Sequence, residues 1–247
     1  MTAKTAKPIK LCGVDGCRNG WVVASGILVG GRVEHLDARV IPTIGAIEKL
    51  NPNIVAIDIP IGLPTAARKG GRIAEKEARK MLVGRASSVF SSPCRRVLQA
   101  ADYQQALTFS RNSSPDNIGL SKQTWNIVPK IKEVDGFLQA NQRWVSQFFE
   151  VHPELAFTEM SSFFTGSKFP SKHTTQGLEV RHQALVQNGI DLNLVHHEDG
   201  MRKVKLDDYL DAFACLWSAV RIAKGKAMKV PQQVQHDELG LPMQIHW

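Results

Sequence analysis

Between residues 9 and 60 the apolar positions fall in short runs divided by turn residues. Leu11–Val14 is an apolar run that ends on Asp15, and Gly16-Cys17-Arg18-Asn19-Gly20 follows as a turn. Trp21-Val22-Val23-Ala24 then starts a second run. The pattern predicts a β-hairpin with strands at roughly Ile9–Asp15 and Trp21–Val29. Gly30-Gly31 turns the chain again, and Val33–Val40 alternates as a third strand. Pro42 opens a helix over Thr43–Leu50, with Ile44, Ile47 and Leu50 on one face. Asn51-Pro52-Asn53 stops it. The run Ile54–Pro60 is apolar except for Asp58, which predicts a strand buried on both faces, hence a parallel central strand.

The next stretch changes character. Arg68-Lys69-Gly70-Gly71-Arg72 is a basic, glycine-bearing loop, and Glu75–Leu82 reads as a helix. Val97–Phe109 reads as another, followed by a polar, turn-rich Ser110–Gly119. Leu120–Trp125 leads into a third helix through Ile131, Val134, Phe137 and Leu138. Residues 64–140 therefore read as a mostly helical insertion between two strands of one core sheet, within a single domain spanning 1–247. Val145–Phe149 is again a strand, and it ends on Glu150. Glu154, after Pro153, fits the first turn of a helix. Phe157–Phe169 is aromatic and glycine-bearing, Gln176–Gln187 is helical, and Ile190–Val195 suits a short edge strand. The last strong element is a helix with Leu206, Leu210, Phe213, Ala214, Trp217 and Val220 as its apolar face. The tail, Pro231–Trp247, reads as turns with a short apolar end. Met1–Lys7 reads as loose.

Composition adds bounds. The 247 residues are 43% hydrophobic and 22% charged, an ordinary globular balance. The net charge of +8, with 31 basic and 23 acidic residues, permits a polyanionic partner without requiring one. Cys12, Cys17, Cys94 and Cys215 are scattered; only Cys12 and Cys17 loosely approach a metal-knuckle spacing, and no second pair completes it. Cys12 and Cys215 sit in apolar runs and read as core. Free thiols suit a reducing cytosol, and with no signal core and no membrane-length run the expected location is cytoplasmic. There is no GxxxxGK, GxGxxG or GxSxG pattern.

Candidate chemistry comes from the acids. Asp15, Asp58 and Glu150 each end a strand, and Asp207, Asp208 and Asp211 open the late helix. Taken singly, the strand-end acids read as turn residues and Asp207 and Asp208 as helix-start residues. Taken together, they suggest carboxylates converging at the carboxyl edge of a sheet, where ligands collect in open α/β folds. Asp208 and Asp211 are i,i+3 neighbours and repel unless a positive charge stands near them. Hard oxygen donors of this kind suit Mg²⁺ or Mn²⁺, with Asp15, Asp58, Asp208 and Asp211 as ligands and Glu150 as a further catalytic acid. His152 reads either as a ligand or base, or as a hydrogen-bonded structural histidine. Arg79, Arg85, Ser88 and Lys172, with Arg72 and Ser87, are the candidate phosphate contacts; each reads equally as a solvated surface residue.

The layout resembles the ribonuclease H-like superfamily, in which the first strand, the fourth strand and a late helix carry metal-binding acids. More closely, the chain resembles the predicted nucleases of domain-of-unknown-function family 429. The motifs are GVDGCRNGW (13–21), IDIPIGLP (57–64), EARKMLVGRASSVFSSP (77–93), LSKQTWNIVPKIKEVD (120–135), EVHPELAF (150–157), SKHTTQG (171–177) and DDYLDA (207–212). The resemblance implies an α/β ribonuclease H-like mixed sheet, three antiparallel strands then parallel ones, flanked by helices. It also implies a metal-dependent nuclease or phosphodiesterase acting on nucleic acid or a nucleotide. One departure stands out: the family pattern has Cys-Asp where this chain has Ala74-Glu75, so Glu75 is the acid that would substitute. Two other readings remain. Actin-like phosphotransferases also begin strand-Asp-hairpin, but would require a duplicated lobe that the sequence lacks. A non-catalytic nucleic-acid-binding module on a nuclease fold would bind in a salt-dependent way.

Overall fold

The computed structural model describes residues 7–161, 170–198 and 200–247. In chain order the elements are strands β1 (Ile9–Cys17), β2 (Gly20–Val29), β3 (Arg32–Ile41) and β4 (Ile54–Ile57), then helices α1 (Ile73–Met81), α2 (Tyr103–Ser113) and α3 (Lys122–Ala140). Strand β5 (Phe148–Val151), helices α4 (Pro153–Met160) and α5 (Thr175–Gln187), strand β6 (His196–His197), helix α6 (Leu206–Ala223) and strands β7 (Lys229–His236) and β8 (Pro242–His246) follow. The chain is a mixed α/β protein. No helix of the described residues is long and apolar enough to cross a membrane.

The described residues fall into two compact units. The first holds the described residues of Met1–Asp58, Gln147–Met228 and His246–Trp247. The second holds Ile59–Ser146 and Lys229–Ile245, so the helical stretch is joined by a C-terminal segment.

In the first unit the strands run in the order β6-β3-β2-β1-β4-β5. β1, β2 and β3 are antiparallel, whereas β4 is parallel to β1 and β5 parallel to β4. The hairpin turn is tighter than the sequence suggests: Cys17 pairs with Gly20, leaving Arg18 and Asn19 as the two-residue loop. Val14, Val22, Val23, Val55, Ala56 and Ile57 are buried, and a fully buried Val or Ile contributes roughly 1.5–3 kcal/mol. Asn51, in the left-handed conformation, ends a 3-10 helix at Ile44–Leu50 that stands where an α-helix was expected.

Helix α6 lies across this sheet. All residues from Leu210 to Val220 are buried, so the expected single apolar stripe becomes burial on every side, with the sheet on one flank and α4 and α5 on another. Leu206, expected in the stripe, is exposed. Gly13 makes the close crossing possible. A Cβ there would lie 2.0 Å from the Leu216 backbone nitrogen and 2.3 Å from the Ala212 carbonyl oxygen.

In the second unit, Asp102 caps α2 by accepting from the Gln105 amide (2.8 Å), which divides the expected Val97–Phe109 helix into a 3-10 turn at Arg95–Gln99 and α2. α3 carries Pro129 within it. The tail, expected as turns, forms β7 and β8, which pair with one another. In the first unit, Ile190–Val195, expected as a short edge strand, is mainly a 3-10 turn, and the strand nearby is β6, parallel to β3. Residues 1–6, within the stretch read as loose, and 162–169, within the aromatic stretch, lie outside the described residues.

Candidate functional site

Strand register decides which acids meet. The Asp58 amide donates to the Val14 carbonyl (3.0 Å), extending the β1–β4 ladder one residue past Ile57. Since Val14 pairs with Ile57, Asp15 and Asp58 stand next to each other on one face, the face that Gly13 shows to α6. From α6, one residue before the Ala212 contact, Asp211 enters the same space. Asp15 is anchored locally, its Oδ1 accepting from the Gly16 amide at 2.8 Å.

The electrostatics show these groups acting on each other. Burial, then the charges of Asp58, Asp211 and Asp208, push the Asp15 carboxyl well above the usual range, against the pull of Lys172. Burial also raises Asp58; His152 and Lys172 pull it back and Glu154 adds to the rise. Asp211 is pushed up to about 7 by burial, opposed by Lys172 and assisted by Asp58 and Glu154. Beneath them the Cys215 thiol is held neutral by burial and by the charges of Asp58, Asp15 and Asp211. Cys215 and Cys12 are buried, as expected of core residues.

Lys172 is the lysine that the described residues place in the cluster. Its Nζ donates to Asp211 Oδ2 at 2.6 Å. Burial works against the ammonium, but the Asp211 charge and hydrogen bond, with Asp58 and Asp15, hold its pKa above the ordinary value. The other Asp211 oxygen, Oδ1, is buried and has no hydrogen-bond partner among the described residues. A buried carboxylate oxygen left unpaired is costly.

Two further residues hold this arrangement. Arg181 of α5, fully buried, donates to Glu154 Oε1 (2.6 Å) and to the Pro170 and Gly177 carbonyls (both 2.9 Å). It thus fixes Glu154, in the first turn of α4, and the start of the turn that carries Lys172. Gly177 lets that turn lie on α5, since a Cβ there would lie 1.9 Å from the Ser171 carbonyl oxygen. Neither Arg181 nor the role of Glu154 was legible beforehand; the sequence gives only that Arg181 falls in the helical stretch Gln176–Gln187.

A family pattern described as "Protein of unknown function (DUF429)" matches residues 13–236. The chain belongs to the DUF429 family. No curated protein and no solved structure matches it.

Several expected site residues of this DUF429 chain are placed differently. Glu150 is in register with Ile57, one position out of phase with Asp58, and so lies on the opposite sheet face from Asp15 and Asp58. The acid whose charge acts on Asp58 and Asp211 is Glu154 instead. Asp208, half-exposed in the first turn of α6, does act on Asp15. Arg79, Arg85 and Ser88 belong to the second unit. There Arg79 is a strut: Nε to the Val89 carbonyl (2.9 Å), Nη1 to the Gly70 carbonyl (2.6 Å) and Nη2 to Ser91 Oγ (2.9 Å). Ser88 Oγ donates to the Arg85 carbonyl at 2.8 Å. Arg72 is no surface phosphate contact but the buried partner of Glu75, at 2.7 Å. Glu75 also accepts from the Arg72 amide (2.5 Å) and the Ser92 hydroxyl, so it acts as a structural acid at the start of α1.

The donors on the α6 side of the sheet suit a hard divalent cation in kind. Among the described residues they are carboxylate oxygens in excess over Lys172, and one of those oxygens, Asp211 Oδ1, lacks a hydrogen-bond partner. Among the described residues no three His, Cys, Asp or Glu groups are gathered as a metal cage. Lys172 sits on Asp211 instead.

Proposed function

We propose that this protein is a divalent-metal-dependent phosphodiester hydrolase on a ribonuclease H-like fold, acting on nucleic acid or a nucleotide. The observation that carries the reading is Asp211, whose Oδ1 is buried without a hydrogen-bond partner among the described residues, beside Asp15 and Asp58, of which Asp58 raises the Asp15 pKa. Supporting it are the three antiparallel strands followed by parallel β4 and β5, and the late helix that brings an acid over the end of β1. Asp15, Asp58 and Asp211 would hold Mg²⁺ or Mn²⁺, with Asp208 at the rim. Bound there, the ion supplies an activated water and stabilises the leaving oxygen of a phosphodiester.

The chain's own residues have separate tasks in this reading. Asp15 and Asp58 keep a concentrated negative charge at the strand ends. Gly13 and α6 fix Asp211 against them. Lys172, a third exposed and paired with Asp211, can reach an incoming phosphate oxygen. Arg181 keeps Glu154 and the Lys172 turn in place.

The test is cleavage of a panel of DNA, RNA, branched and mononucleotide substrates with Mg²⁺ or Mn²⁺, using Asp15→Asn and Asp211→Asn as controls. Metal-dependent cleavage lost in both variants supports the reading. Cleavage indifferent to both substitutions, or no cleavage of any substrate, counts against it.

A further inference from the structure

We infer that Lys172 is a displaceable internal cation: it occupies the acidic site of the metal-free protein and leaves when a divalent ion binds. The inference rests on the metal reading above and adds how the site is controlled.

The geometry separates a fixed backbone from a movable charge. The Lys172 turn is held at three points. Thr174 Oγ1 donates to the Ser171 carbonyl (2.9 Å) and accepts from the Gly177 amide (3.0 Å), and Arg181 holds the Pro170 carbonyl. The lysine side chain, by contrast, is 34% exposed, whereas that of its partner Asp211 is 4% exposed. Only the four-carbon stem has to rotate for the ammonium to reach solvent, and that stem is flexible.

Charge explains why the two cations exclude each other. Lys172 is attracted by Asp211, Asp58 and Asp15, the same three carboxylates that would hold the metal. An ammonium held among these carboxylates would repel a divalent ion on them, in surroundings where burial weakens screening. Among the described residues no three His, Cys, Asp or Glu groups are gathered as a metal cage, so a divalent ion would need the carboxylates to close around it. Removing it leaves uncompensated negative charge, which a metal is suited to neutralise. The ammonium thus protects the metal-free fold from its own acids, and once released it is free for a phosphate oxygen.

The experiment measures Mn²⁺ binding to the full chain by titration calorimetry at fixed pH and low salt, comparing wild type with Lys172→Gln and Lys172→Arg. Lys172→Gln is expected to bind Mn²⁺ roughly tenfold tighter or more, and Lys172→Arg to stay near wild type. Equal or weaker binding by Lys172→Gln overturns displacement while leaving the metal site standing. No Mn²⁺ binding by any of the three overturns both. A second measurement needs no variant: acetylation of Lys172 in the wild type, followed by mass spectrometry, is expected to quicken several-fold when Mn²⁺ is added. Unchanged or slower labelling at saturating Mn²⁺ overturns the proposal.

Discussion

Gly13 and Ala212 meet backbone to backbone: a Cβ on Gly13 would come within 2.3 Å of the Ala212 carbonyl oxygen. The contact sets the height of α6 above β1, and Asp211, the residue before Ala212, inherits its position from it. Backbone atoms cannot swing aside as a side-chain tip can. Gly13→Ala is therefore expected to cost about 3 kcal/mol, at the upper end for overpacking. Urea unfolding measures this. A loss under about 1 kcal/mol would mean that α6 shifts freely and that its closeness to β1 is not a constraint.

The three aspartates make stability fall with rising pH. A group whose folded pKa is raised binds its proton more tightly when folded. Its stabilising contribution is complete below the unfolded value, about 3.9, and is lost as pH rises through the folded value, about 7 for Asp211. Asp15 is raised in the same direction. Asparagine at position 15 keeps the oxygen that accepts from Gly16 but carries no charge. Asp15→Asn is expected to melt higher than wild type at pH 8 in the absence of metal, by about 2–4 °C per kcal/mol of repulsion relieved. The gap should close near pH 4. A variant melting lower than wild type at pH 8 would contradict the direction of the shift.

Arg181 and Glu154 form a buried pair at 2.6 Å. Arg181→Met strands the carboxylate and drops the bonds to the Pro170 and Gly177 carbonyls, at a cost of about 3–5 kcal/mol. Glu154→Gln combined with Arg181→Met should recover part of it, because the stranded charge is gone. A double variant as unstable as Arg181→Met alone would assign the loss to the two carbonyl bonds. Arg181→Lys keeps the charge without the planar fork and is expected to fall between.

Glu75 lies in the second unit, bonded to Arg72 and Ser92. Glu75→Gln leaves the buried Arg72 guanidinium without its counter-ion, and a loss of about 3 kcal/mol or more in unfolding free energy is expected. Its Mn²⁺ affinity, measured on the folded variant, should equal wild type. A marked loss of Mn²⁺ affinity without loss of stability would instead make Glu75 a ligand.

Local pattern was enough for the three antiparallel strands, the parallel β4 with Asp58 at its end, the cap-like position of Glu154, and the late helix with Asp211 one turn in. Each depends on spacing within a dozen residues, where period two and period 3.6 leave a direct imprint. β7 escaped detection because Lys229–His236 is largely exposed and polar, with no alternation to read. The strand phase of Glu150 was equally hidden. β5 is buried on both faces, so polarity does not mark which residue shares a face with Asp58, and a one-residue slip exchanges the faces. The pairing of Lys172 with Asp211, 39 residues apart, and of Arg181 with Glu154, 27 apart, came only from packing α5 and α4 against α6. That acids stand at strand ends and at the start of α6 follows from local pattern along the chain. Which of them share a face, and that Lys172 stands among them, follows from packing, because opposite charges find one another through space and carry no periodicity along the chain.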